Sequence, residues 1–298
     1  MLWWGEKMPD YKTHSIHSET VMSSIHKRTN VDRNDLVRFA FGPDSLMFTD
    51  YGLFDYQHSH DTGIYFETLL RMVKERKLQD NSKVMAFVYG QLDHFVLDLV
   101  MHPLIYCMTE KMPSKSILKP HALVELWISD YVMLKQHKKK KIYYYPSKVL
   151  NPELRGVIND LYLRIFHKNN MATKYDIGVN SLISFDKLRL SKNRVINNIC
   201  KGINIGDFFY DKNVSRVTRY LNLNHHSINN PISGEEFIDS FDDLWKKSLR
   251  IASELIEDVN NYLYLDRPLN NYFIRNNISY NTGFPCTEKE EFKFVKKY

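Results

Sequence analysis

Gly90-Gln-Leu-Asp-His94-Phe-Val-Leu-Asp98-Leu-Val-Met-His102-Pro103 places three polar side chains at four-residue steps inside an apolar run. At about 100° per residue, positions 94, 98 and 102 stack along one face of a helix. The residues between them are apolar, so this helix is expected in a core, where each unpaired polar group costs roughly 2–3 kcal/mol. Coordination of a metal by neutral imidazole and carboxylate removes that cost. His94, Asp98 and His102 are therefore candidate ligands, near enough to share ions. Pro103 has no N–H and crowds the preceding turn, so the helix, which starts at Ser82, is predicted to end or kink near His102.

A second helix is predicted from about Pro120 to Lys135, with proline in its first turn. It carries His121-Ala-Leu-Val-Glu125, again one polar step of four in an apolar segment that includes Trp127. A lone His-x-x-x-Glu is usually a hydrogen-bonded pair on a helix surface. Three such steps between His94 and Glu125, all in apolar surroundings, favour ligation. Thr109 to Lys119 reads as a polar connector.

Gly and Pro number only 11 and 10 in 298 residues, and apolar residues recur at three- and four-residue spacing. Ile64-Phe66-Leu69-Leu70-Val73 and Leu244-Leu249-Ile251-Leu255-Ile256-Val259 are the clearest stripes. The reading is all-α, with residues 1–298 as one domain, since no internal repeat and no dividing linker is visible. Ile177 to Ser233, rich in Asn, Asp and Lys, gives no clear helix boundaries. Lys135-Gln-His-Lys-Lys-Lys-Lys-Ile-Tyr-Tyr-Tyr-Pro146 is read as a solvated helix end and loop, with peripheral contact to a phosphate or membrane surface as the other reading of the Lys138–Lys141 run.

Hydrophobic residues make up 43% of the chain, enough for a large core, and the formal charge of +6 does not indicate a nucleic-acid partner. Cys107, Cys200 and Cys286 are odd in number and lack CxxC spacing, against a disulfide framework or a thiolate metal site. Met1-Leu-Trp-Trp-Gly-Glu-Lys has too short an apolar stretch for a signal peptide, and charged residues break every window of membrane-spanning length. A cytoplasmic location is the expectation.

Further candidates precede the central helix. Gly42-Pro43-Asp44 is a turn among Phe39, Phe41 and Phe48, and His58-Ser-His60-Asp-Thr-Gly63 opens a helix near Ile64. Each alone would pass for turn or capping chemistry. His14, in Tyr11-Lys-Thr-His14, would pass for an ordinary histidine, with His17 three residues on.

In order along the chain, Thr13-His14, Gly42-Pro43-Asp44, His58 before Thr62-Gly63, His94-x3-Asp98 with His102-Pro103, and His121-x3-Glu125 resemble the zinc-dependent phospholipase C family, which includes the alpha-toxin catalytic domain. Asn230-Pro231-Ile-Ser-Gly234, followed by Ser240-Phe241 and a helix, resembles the C-terminal part of its short bacterial members. The resemblance implies an all-α domain with several zinc ions in a cleft and hydrolysis of a phosphodiester substrate, a phospholipid in that family. By position, Asp44, His58, His94 and Asp98 would hold one zinc, and His102, His121 and Glu125 a second. Asp98 would bridge to a third, shared with His14. In the secreted members an N-terminal tryptophan completes that third site; this chain starts Met1-Leu2-Trp3-Trp4, and the Met1 amine is the conjectured substitute. Asp44 takes the general-base role in this reading. His60 and His17 are the alternative ligands within their clusters.

Two other readings stand beside this one. The related P1-type nucleases share the architecture that the resemblance implies, so a nuclease or nucleotidase is the alternative hydrolase. A non-catalytic protein that keeps the ligands for stability is the alternative outside enzymes.

Overall fold

The structure, a computed structural model, describes residues 11–25, 31–109, 119–136, 150–190, 214–286 and 292–294. The fold is all-α. Among the described residues it comprises α1 (Tyr11–Ile25), α2 (Arg33–Phe39), a 3-10 turn (Gly42–Leu46), α3 (Tyr51–Ser59), α4 (Thr62–Glu75), α5 (Ser82–Thr109), α6 (Pro120–Gln136), α7 (Pro152–Phe166) and α8 (Met171–Arg189). Then come α9 (Ser215–Thr218), a two-residue antiparallel ladder of β1 (Ile228–Asn229) with β2 (Glu236–Phe237), α10 (Phe241–Leu265) and α11 (Tyr272–Arg275). The ladder pairs Ile228 with Phe237 across the Asn230–Glu235 turn.

α5 is the axis of the molecule. Every residue from Val84 to Thr109 except Pro103 is buried, as an apolar sequence on all faces requires. By length and composition α5 passes for a membrane-crossing helix, yet its most apolar stretch is buried inside the fold. α1, α2, α6 and α10 pack along it. α10 turns Leu244, Ile251, Leu255, Ile256, Val259 and Leu263 inward, and its start is fixed by a capping box between Ser240 and Asp243. In α4 the predicted stripe is buried except for Ile64, which is half exposed. One cluster of buried hydrophobic residues runs from Ile16 to Tyr280.

α5 does not end near His102 as the sequence predicted; it continues through Pro103 to Thr109. Proline at 103 leaves the Leu99 carbonyl without its helical donor. That carbonyl faces Gly283, whose φ is +70° and where a Cβ would come to 2.9 Å of the oxygen. The segment around Gly283 thus lies flat against the interrupted turn, and tertiary packing carries the helix across the proline.

α8 is anchored by buried charge. Arg189, at its C-terminus, pairs with Asp130 of α6 and donates to the Leu126 carbonyl, while Lys12 of α1 meets Asp186 at 3.0 Å. Burial raises the Asp186 carboxyl above its usual range, against the pull of Lys12. α8 ends at Arg189, within the stretch whose composition set no helix boundary. The Lys138–Lys141 run, Cys200 and Met1 lie outside the described residues.

Candidate metal centre

α5 presents His94, Asp98 and His102 on one face, and Asp98 is the hub. Its Oδ2 lies 3.1 Å from His94 Nε2 and 3.7 Å from His58 Nε2. Its Oδ1 lies 3.2 Å from His14 Nε2 and 4.0 Å from His102 Nε2. The two oxygens of one carboxylate therefore address different histidines, delivered by α1, α3 and α5. Asp44 Oδ1 is 3.1 Å from His58 Nε2 and 4.0 Å from His94 Nε2. At the other end Glu125 Oε1 lies 3.2 Å from His102 Nε2 and 3.0 Å from His121 Nε2.

The local structure explains why these atoms converge. Gly42 has φ +51°, and a Cβ there would stand 2.3 Å from the His94 ring. Only glycine allows the chain leaving α2 to fold against that imidazole and send Asp44 back toward it through the 3-10 turn. The same close approach brings the Ala40 carbonyl to 3.0 Å of His94 Nδ1. His58 Nδ1 meets the Phe54 carbonyl one turn earlier in α3 at 2.7 Å, and His102 Nδ1 meets the Tyr280 carbonyl at 2.9 Å. A carbonyl only accepts, so Nδ1 carries a proton in each ring, and in the neutral form that metal ligation requires the lone pair at Nε2 points inward, the arrangement of metal-ligating histidines. His94 Nε2, fully buried, has no hydrogen-bond partner despite its nearness to Asp98. That orphaned atom fits a coordination role better than an ion pair.

The eight predicted residues thus come together as three adjoining groups: Asp44, His58 and His94; His14, His94 and Asp98; His102, His121 and Glu125. Within each group the donor atoms lie within 4.8 Å of one another, so each can hold a metal ion. His94 belongs to two groups. His60 stays outside: its Nδ1 pairs with Ser59 Oγ and its ring stacks on Tyr56. His17 also stays outside, with both nitrogens engaged elsewhere.

The electrostatics are those of charges packed with little water. Burial opposes ionisation of Asp98, but His94, His102 and His14 outweigh it and hold the carboxyl well below its usual range. Burial likewise opposes charge on His94, yet Asp98 and Asp44 carry it up to about 9. His102 is raised in the same way, against burial, by Asp98 and Glu125. His14 goes the other way, lowered by burial and by the neighbouring His94. Glu125 is drawn down to about 2 by His121 and His102 in spite of its burial.

Sequence reasoning missed two supports. The segment around Tyr280 clamps two histidines at once: its carbonyl holds His102, while its N–H and Ser279 Oγ donate to the His58 carbonyl at 2.9 and 3.1 Å. These contacts end on backbone groups, which leave no residue-type signature. Tyr106 lies over His121 with centroids 4.3 Å apart and stacks on Phe292 at 4.2 Å. It sits one turn after His102, and that spacing alone could have marked it.

Comparison of the chain with family models, with curated proteins and with solved structures finds no match.

Proposed function

We propose that this chain is a zinc-dependent phosphodiester hydrolase of phospholipase C-like type. The observation that carries the reading is the convergence of five histidines and three carboxylates, with Nε2 and carboxylate oxygens turned toward one another in three adjoining groups. Imidazole and carboxylate without thiolate suit zinc, and neighbouring metal positions suit phosphoester chemistry. Asp44, His58 and His94 would hold one ion, His102, His121 and Glu125 a second, and His14 with Asp98 a third. When bound, zinc supplies Lewis acidity toward phosphate oxygens and makes hydroxide available near neutral pH.

The protein's own part is orientation and proton movement. The Ala40, Phe54 and Tyr280 carbonyls fix His94, His58 and His102 so that no ring must turn when a ligand arrives. A carboxylate oxygen of Asp44, on the short turn after α2, accepts the proton of the attacking water. Water oxygen forms the new bond to phosphorus, the bond to the leaving alkoxide breaks, and the alkoxide takes up a proton.

The test is zinc content by elemental analysis, followed by assays with bis-p-nitrophenyl phosphate, phosphatidylcholine vesicles and single-stranded nucleic acid. Zinc-dependent turnover of the first two is expected. Turnover of nucleic acid alone would move the substrate to the nuclease class. Full zinc occupancy with no turnover of any phosphodiester would sink the enzyme reading and leave a non-catalytic metal protein.

A further inference from the structure

Beside the metal-ligating groups lies a buried polar cluster that takes no part in them. His17 Nδ1 donates to Asp93 Oδ1 at 2.8 Å, and His17 Nε2 meets Ser248 Oγ at 2.8 Å. Ser18 Oγ donates to the other oxygen of Asp93, Ser248 Oγ to the Trp245 carbonyl. The Trp245 indole stands edge-on to the His17 ring, centroids 5.0 Å apart. His17, Ser18 and Ser248 have no exposed surface and Asp93 has 1%. The cluster ties α1 to α5 and α10 in a place where polar groups are costly unless paired.

Its position in the sequence gives it a task. Asp93 directly precedes the ligand His94, and His17 and Ser18 lie three and four residues beyond His14, on the same face of α1. His14 needs outside support: its Nδ1 has no hydrogen-bond partner, whereas His58, His94 and His102 each have a backbone carbonyl. Among the described residues the His14 ring is fixed by its stacking on His94, centroids 4.0 Å apart, by its contact with Asp98, and by where α1 places it.

We infer that His17, Ser18 and Asp93, buttressed by Ser248, are positioning residues that hold α1 so that His14 Nε2 completes the metal position it shares with Asp98. His58, His94 and His102 are steadied by a carbonyl on the ring itself, whereas His14, which like His121 has none on its Nδ1, is steadied from one helical turn away, through the placement of the helix. This inference rests on the metal-binding reading.

The test uses the full chain loaded with zinc and titrated with a competing chelator. Wild type is compared with His14→Ala, Asp93→Asn, Ser248→Ala and the His14→Ala/Asp93→Asn double variant. Asp93→Asn is expected to weaken one zinc equivalent by roughly 10- to 100-fold, the usual effect of losing an outer support, and to leave the others unchanged. His14→Ala should lose that same equivalent, and adding Asp93→Asn to it should cost nothing more in zinc binding. Ser248→Ala, which leaves no buried charge alone, should weaken the same equivalent several-fold and serves if Asp93→Asn does not fold. The inference is overturned if either variant lowers the melting temperature of the metal-free protein while every zinc affinity stays as in wild type. It is equally overturned if the double variant loses a further equivalent. A wild-type chain that takes up no zinc would instead overturn the metal reading, an outcome read on the unmutated protein and so distinct from the others.

Discussion

Asp98 and Glu125 differ in what they connect, and that difference is measurable. Asp98 faces four histidines with two oxygens, Glu125 two histidines with one. Asp98→Asn removes charge from the hub and is expected to lower zinc content at more than one position, whereas Glu125→Gln should affect one. Elemental analysis of the two purified variants decides it, and unchanged zinc in Asp98→Asn would refute the role given to this helix face. Gly42→Ala is the second prediction at this scale. An L-residue at φ +51° costs about 1–2 kcal/mol, and a methyl against the His94 ring adds roughly 1–3 kcal/mol of overpacking. Urea denaturation should show the summed loss, together with weaker metal uptake. The residues legible from sequence were those with a periodic context. His94, Asp98, His102, His121 and Glu125 stand at four-residue steps in apolar helices, while His14, Asp44 and His58 were separated from ordinary turn and capping residues only by the family resemblance. His17 shows the reverse case, a histidine whose true partners lie 76 and 231 residues away and leave no local trace.

At the scale of elements, α10 offers a pH-dependent handle remote from the metal groups. Ser240 Oγ and N–H both engage Asp243, and these bonds hold the Asp243 carboxyl below its usual range. A carboxyl depressed in the folded state contributes stability above its unfolded pKa of about 3.9 and loses it as pH falls through the folded value. Ser240→Ala should therefore cost about 1 kcal/mol at neutral pH. Its difference from wild type should begin to shrink below pH ~4, where Asp243 of the unfolded chain takes up a proton, and should be lost only below the depressed folded value. Thermal melts of the two proteins at pH 7 and pH 3.5 provide the check. Pro103 marks the limit of element-level reading. The rule that proline stops a helix is local, and α5 escapes it because Gly283, distant in sequence, packs on the carbonyl the proline frees.

For the whole molecule, all-α architecture follows from scarce glycine and proline, three- and four-residue periodicity, and one predominantly apolar helix that carries its few polar groups into the core. The order in which helices surround α5 did not follow, since it depends on contacts between distant segments. The centre draws on α1, the turn after α2, α3, α5 and α6, so an ion that binds only the folded arrangement is coupled to global stability. At one hundred times its dissociation constant such an ion adds about 2.7 kcal/mol, or roughly 5 °C in melting temperature for a chain of this size. Treatment with a chelator is expected to lower the melting temperature by at least that amount, and added zinc to restore it, both read by calorimetry.

The clamp at Tyr280 has a consequence for how the chain is made. All eight candidate ligand residues lie between His14 and Glu125, so the complete donor set is synthesised well before residues 248 to 280. The carbonyl that orients His102, the groups that hold the His58 carbonyl and the serine behind His17 arrive only with residues 248 to 280. On the proposed reading, metal that met the nascent chain would find donors without their supports, and selective, tight loading would wait until residues 248 to 280 had docked.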